Sequence, residues 1–279
     1  AALGAAAQSD GFWGVRVQAL TALGRIGGDE AGKQVQAATA NAEPWVREVA
    51  VDQLGRFKSQ AGLPERLAEL SKHDGAYRVR AAALNSYAQL KPSGGLSLLQ
   101  DAAKSDSPDD VVRRAALRAM GSLGENKAVG TLLDWSEEGK AIGLRTAAIA
   151  SLAQLDKKND SIGKRLTALL DDQDFDIRTA AVNALAERDD ASAIPALEAM
   201  RRRNDLPVNF SNVIDRAIDR LRHVNNEGEA GGRGQAAAPG AGGNGAAGAD
   251  VAQRLGRVEQ TLTEMNDRLK RIEEALPAK

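Results

Sequence analysis

The 279-residue chain contains no cysteine, two histidines and only 3% aromatic residues. Lack of cysteine excludes a disulfide framework and any thiolate metal site. The two histidines, His73 and His223, lie 150 residues apart, and no HExxH segment exists to place a zinc pair on one helix. No strand pattern is present, and neither GxxxxGKS nor GxGxxG offers a phosphate loop. No apolar run approaches the roughly 20 residues that a membrane span needs. Neither sign of charge dominates: 37 Lys and Arg stand against 38 Asp and Glu, so no global field draws the chain to nucleic acid. Few aromatics beside abundant Ala and Leu suit thin helical layers rather than a thick mixed core. These absences leave no complete catalytic motif, and the chain is expected to carry no cofactor or metal and not to be an enzyme in itself. The opening AALGAAAQSD lacks a Met, a basic stretch and a cleavage pattern. It reads as the end of a helix begun earlier, so the chain is expected to be a fragment or a processed product, with any targeting signal upstream.

What is present is a repeat. An Arg preceded by an aliphatic residue recurs at Arg16, Arg47, Arg80, Arg113, Arg145 and Arg178, at intervals of 31, 33, 33, 32 and 33 residues. Three positions on stands Ala in all six rows (Ala19, Ala50, Ala83, Ala116, Ala148, Ala181), followed by an aliphatic residue. Position plus seven is Leu, Tyr or Met, and plus eight is always Gly or Ala. Position plus ten is Ile26, Phe57, Leu90, Leu123 and Leu155, and the pattern fails only at Arg188. Offsets of minus one, plus three, plus four and plus seven share one face of an α-helix. The small column lets neighbouring helices approach closely. Six residues before each arginine stand Asp10, Asn41, Asp74, Ser107, Gly139 and Asp172, which the spacing predicts as N-caps. A second amphipathic helix follows each first one, and such pairs cannot bury their faces alone. The chain is therefore expected to be an all-α solenoid of about six full units with partial ends.

This V-R-x-x-A-φ-x-x-L-G pattern resembles HEAT repeats over residues 11–204, notably the short bacterial kind shared with phycobilisome-lyase-like proteins. Residues 209–223 continue it weakly, with Ile214 in the arginine column, and read as a terminal cap. Residues 1–9 read as the second helix of a preceding unit.

The arginine column admits two readings. A ladder of cations would bind phosphate or acidic peptides; alternatively each Arg satisfies turn carbonyls or an Asp of a neighbouring unit. Recurrence with the repeat favours the second. The acid pairs Asp109-Asp110, Asp171-Asp172 and Asp189-Asp190 could serve acid–base chemistry, but their place in turns favours capping. Arg201, Arg202 and Arg203 end a helix, where cations complement the carbonyl dipole. The second helices otherwise carry mixed charge, which argues against nucleic acid as a partner. Trp13, Trp45 and Tyr77, near the arginine column, could line a peptide groove; filling the gap between helix starts is the simpler expectation.

The phrases DGFWGVRVQALTALGRIG (10–27) and DGAYRVRAAALNSYAQL (74–90) resemble the C-terminal HEAT region of bacterial zinc aminopeptidases of the aminopeptidase N type. That resemblance implies an upstream HExxH domain with this helical part walling the substrate chamber. None of that family's metal ligands or catalytic residues has a counterpart in this chain.

From Asn226 to Ala249, seventeen of 24 residues are Gly or Ala. Such a segment cannot bury enough to fix its backbone, and its reach as a flexible chain is about 27 Å. A heptad seam follows: Leu255, Leu262, Leu269 and Leu276 at a, with Val258, Met265 and Ile272 at d. Arg254 and Arg268 fall at g, with Glu259 and Glu273 at e, in the phrases RLGRVE and RLKRIE. This resembles the R-h-x-x-h-E motif of short parallel trimeric coiled coils, in which the Arg stem covers the core and its head pairs with the next chain's Glu.

The sequence thus predicts a HEAT-like solenoid over 1–224, a flexible linker over 225–249 and a self-associating coiled coil over 250–277, with a trimer favoured over a dimer, a tetramer or packing on another protein. The expected function is a non-catalytic scaffold with a protein or peptide partner. It would form the C-terminal part of a larger zinc aminopeptidase, or alternatively a free-standing adaptor.

Overall fold

The alanine and aliphatic columns of the repeat become the buried seams between helices. The computed structural model describes residues 2–203 and 206–232, with side chains as far as Val224. Among these residues there are fourteen α-helices and no strand. The arginine motif opens α2 (Trp13–Ile26), α4 (Pro44–Leu54), α6 (Tyr77–Leu90), α8 (Val111–Leu123), α10 (Ile142–Gln154) and α12 (Phe175–Glu187). Between them run companion helices: α1 (Ala2–Ser9), α3 (Gly28–Ala38), α5 (Leu63–His73), α7 (Leu96–Ala102), α9 (Val129–Trp135), α11 (Asp160–Ala168) and α13 (Ile194–Arg201). α14 (Val208–Gly232) closes the described array.

Each arginine helix packs on the next, α2 on α4, α4 on α6 and so on to α12, while successive companions touch more sparingly. The packing also sets the phase of the unit. α5 packs on α6, α7 on α8, α9 on α10 and α11 on α12, so a companion belongs chiefly to the arginine helix that follows it. In this phase α1 is the partner of α2 rather than a remnant of an earlier unit. Leu20, Val51, Leu84, Leu117, Ile149 and Val182, one column, are all fully buried. Val15 is the exception of its own column and stays exposed, in the unit preceded only by the eight-residue α1.

The small column at plus eight is a close-approach device. A methyl group on Gly121 would stand 2.8 Å from the Cα of Ser151 on α10. No side chain fits there without moving backbone. Ser86 uses a similar approach to donate its hydroxyl to the Val51 carbonyl of α4 at 2.8 Å.

Two expectations are corrected. The residues six before each arginine are not the N-caps, which fall at Phe12, Glu43, Ala76, Asp110, Ala141 and Asp174. Asp10, Asn41, Asp74 and Asp172 instead accept the backbone N–H two residues on, closing a turn just ahead of the helix. The break at Arg188 is an inversion of chemistry. Its side chain is fully buried, and its guanidinium donates to the carbonyls of Asp156 (2.9 Å) and Lys157 (2.8 Å), just beyond the end of α10. Contacts at 3.3 and 3.4 Å reach the Leu152 and Leu155 carbonyls. Carbonyls that a helix end leaves without partners are satisfied from the next unit.

α14 runs to Gly232, beyond the position at which the sequence starts its linker. The remainder of the linker and the whole heptad seam, from Arg254 and Leu255 to Leu276, lie outside the described residues. Among those described, no helix is long and apolar enough to cross a membrane.

Candidate protein-binding face

The six column arginines point at turns. Arg16 donates to the Asp10 carbonyl (2.6 Å), and Arg80 to the Ser71 carbonyl at the end of α5 (3.0 Å). Arg113 pairs with Asp106 and with Asp110 (2.8 Å). Arg178 donates to the carbonyls of Asp172 (2.7 Å) and Gln173 (3.1 Å). Arg47 and Arg145 reach further. Each bridges to an Asp ahead of the next arginine helix, Arg47 to both carboxylate oxygens of Asp74 at 2.9 Å and Arg145 to Asp172. The equivalent position is Asn41, Ser107 or Gly139 after Arg16, Arg80 and Arg113, and there the arginine stays on nearer turns. Burial pushes the Asp74 and Asp172 carboxyls up, but hydrogen bonds from the arginine and a backbone N–H outweigh it, holding both below the usual carboxylate range.

The acid pairs are likewise engaged in ion pairs more than in capping. Asp189 joins Lys157 to Arg220 of α14, and Asp171 meets Arg203 at 3.4 Å. Asp110 holds the N-cap position of α8 without a side-chain hydrogen bond, and of the six only Asp190 caps through its carboxylate, accepting from the Ser192 amide at 3.1 Å. His73 ends α5 exposed, 3.9 Å from Glu69. No group of three or more His, Asp or Glu suited to a metal occurs among the described residues.

An arginine helix has neighbours on either side and a companion beneath, which leaves one long face to solvent. That face is set by the positions one and five after each arginine, together with the helix start. The starts form a row of apolar side chains. Trp13, Trp45, Tyr77, Ile142, Phe175 and Val208 are all 40–76% exposed. Trp45 and Tyr77 therefore do not fill gaps between helices, as simple packing economy suggests. Companion helices already close those gaps with Leu and Ala.

Across α4, α6 and α8 this row deepens into a hollow of about 490 Å³, lined by Pro44, Trp45, Tyr77, Pro108 and Val111. α6 presents the small, buried Ala81 between its neighbours, which lets the surface dip. Charges rim the hollow: Glu48, Arg78, Asp109 and Arg114. The Arg78 guanidinium stacks 4.7 Å from the Trp45 ring centre and ion-pairs with Glu48 at 3.0 Å. At the other ends of the same helices a second hollow, about 580 Å³, is lined by Asp52, Gln53, Arg56, Lys58, Gln89, Lys91 and Ser122. Trp45, Glu48 and Asp52 follow one another at helical spacing on α4, so both hollows belong to one trough. Protein surrounds the Asp52 carboxyl although water reaches it; this burial, with Glu48 one turn away, pushes its pKa up to about 6. A hollow of about 510 Å³ between α1, α2 and α3 is lined by Leu3, Leu23 and Ile26.

Sequence reasoning missed Asp52, Arg114 and Arg118. Their signal was the columns at plus one and plus five, whose chemistry changes from unit to unit while the core columns hold constant.

These features define an α-solenoid repeat scaffold of a kind that fits a protein-interaction role. The chain belongs to the HEAT-repeat family: the family model described as HEAT repeats matches residues 1–88, 63–153 and 142–209. Among solved structures it is similar to the Escherichia coli protein YibA, with 19% identity and a TM-score of 0.50 over 79% of this chain and 91% of that one. It is also similar to the complex of CpcE and CpcF of phycocyanin lyase from Nostoc sp., with 20% identity and a TM-score of 0.51 over 78% of this chain and 93% of that one. At such identities the likeness is one of fold. No curated protein matches the sequence.

Proposed function

We propose that the protein is an adaptor that holds an extended segment of a partner protein in the trough across α4, α6 and α8. The observation that carries this reading is the hollow at the helix starts, where Trp45 and Tyr77 stand exposed beside Pro44, Pro108 and Val111. Exposed aromatics with few rotatable bonds are the side chains that anchor interfaces. Panning a random peptide-display library on the full chain tests it. Peptides enriched on the wild type should be lost from the double variant Trp45→Ala, Tyr77→Ala. Equal enrichment on both proteins would place the binding surface elsewhere.

Residues 250–277 add a second element to the proposal. The heptad seam, with Arg254 and Arg268 at g and Glu259 and Glu273 at e, favours self-association in threes. Three tethered solenoids would bind a multivalent partner with avidity. Sedimentation as a function of concentration should reveal trimers that Arg254→Ala with Arg268→Ala loosens; a monomer at all concentrations rejects this element. Membership of a larger zinc aminopeptidase rests on the phrases at 10–27 and 74–90 alone, and its test is an HExxH segment in the sequence upstream.

A further inference from the structure

The trough is not neutral. Arg114 lines the aromatic hollow half-buried, and Arg118 lies one turn further along α8. Arg56, Lys58 and Lys91 surround the second hollow. None of these five cations makes a hydrogen bond or ion pair with the described residues. Arg78 already has Glu48. Cations at the C-terminal ends of α4 and α6 complement the helix dipole and need no ligand to explain them. Arg114 differs, because it occupies the first turn of α8, where the dipole opposes a positive charge. Nothing in the packing of α8 accounts for an unpaired cation there, followed by a second at i+4.

We propose that the segment bound in this trough is acidic: an extended peptide of a partner protein carrying Asp or Glu beside the apolar side chain that enters the Trp45–Tyr77 hollow. This rests on the peptide-binding reading above and adds the partner's charge. Two helix-to-helix steps of about 8–10 Å are bridged by five or six extended residues at about 3.3 Å each. An apolar anchor seated between α4 and α6 therefore leaves the following residues over Arg114 and Arg118. Asp52 on α4 repels acid from the opposite wall, which fixes the direction in which the segment lies. Asp52 and Asp109 interrupt the cations and disfavour a continuous phosphate backbone.

The display selection described above carries the test when its winners are sequenced and repeated on the variant Arg114→Glu, Arg118→Glu. Peptides from the wild type should be rich in Asp and Glu next to an aromatic or Leu residue. Measured by fluorescence anisotropy on the full chain, such a peptide should bind the charge-reversed variant about tenfold or more weakly. Selection on that variant should turn toward Lys and Arg. Both substituted side chains lie on the solvent face, and unchanged helical circular dichroism confirms that the variant folds. Wild-type winners without acidic bias, or an acidic bias that survives charge reversal, overturn the inference. If such winners still depend on Trp45 and Tyr77, the peptide-binding reading stands and only the charge assignment falls. If they do not depend on those aromatics, both fall. Competition by a single-stranded oligonucleotide at equal concentration would assign the trough to nucleic acid and likewise overturn it.

Discussion

Arg47 of α4 grips both carboxylate oxygens of Asp74 at 2.9 Å, while its remaining nitrogen holds the carbonyls of Asn41 (2.8 Å) and Ala42 (2.9 Å). One side chain thereby ties the turn ahead of its own helix to the turn ahead of the next. Asp74 is nearly buried, its side chain 6% exposed, so removing the cation strands a carboxylate. Arg47→Met should destabilise the fold by about 3 kcal/mol, at the lower end of the range for breaking a buried pair. Arg16→Met, which loses a single carbonyl contact, should cost about 1 kcal/mol. Urea titration of the two variants compares them directly; equal losses would refute a special role for the bridging arginines.

The pH dependence of stability follows from the carboxyl groups, with opposite signs. Asp74 and Asp172 titrate below their unfolded value of about 3.9. Their stabilisation is present above that value and is lost as pH falls through the folded values. Asp52 is raised to about 6, so the folded state holds its proton more tightly than the unfolded chain does. Its effect is favourable relative to neutral pH below about 4 and disappears as pH rises toward 6. Asp52→Asn should therefore raise the melting temperature at pH 8 and leave it unchanged at pH 3.5, relative to wild type. A gain of the same size at both pH values would contradict the assignment.

Glycine at plus eight should not be equally replaceable. At Gly121 a Cβ meets the Ser151 Cα at 2.8 Å, which only a shift of α10 relieves. At Gly24 it meets the Gln53 side chain, 2.1 Å from Oε1, which can rotate away. Gly121→Ala should destabilise by about 1–3 kcal/mol through overpacking. Gly24→Ala should be near neutral, since about 1 kcal/mol of helix propensity offsets the displaced side chain. Thermal denaturation distinguishes the pair.

Arg188 gives a prediction that runs against the repeat consensus. Five of the six units carry Ile, Phe or Leu at its register. Restoring that pattern with Arg188→Leu should nonetheless destabilise by about 3 kcal/mol, because the buried carbonyls of Leu152 and Leu155 and the part-buried ones of Asp156 and Lys157 all lose their donor. A stabilised Arg188→Leu variant would show that those carbonyls find other partners.

These cases mark how far the sequence could be read. The arginine, alanine and aliphatic columns disclosed the helices, because constant spacing with constant chemistry is what a stacked array demands. Phase was less legible: a companion helix pairs with the arginine helix after it, and periodicity along one chain says nothing of which neighbour is nearer. Capping was misplaced by two or three residues because Asp and Asn serve turns as readily as helix starts. Arg188 looked like a lapse because a consensus records only which residue is common, not which carbonyls lie opposite. For the trough the useful signal was variation, at Glu48, Asp52, Arg114 and Arg118, within columns where α6 alone places a core residue, Ala81.

On the proposed reading, a partner binds the exposed face of α4, α6 and α8. Amide hydrogen exchange, read by mass spectrometry with and without a selected peptide, measures this most directly. Exchange should slow in residues 44–56, 77–91 and 108–122, with α9, α11 and α13 unchanged. Protection confined to companion helices, or to the stack end at α1 and α3, would contradict it.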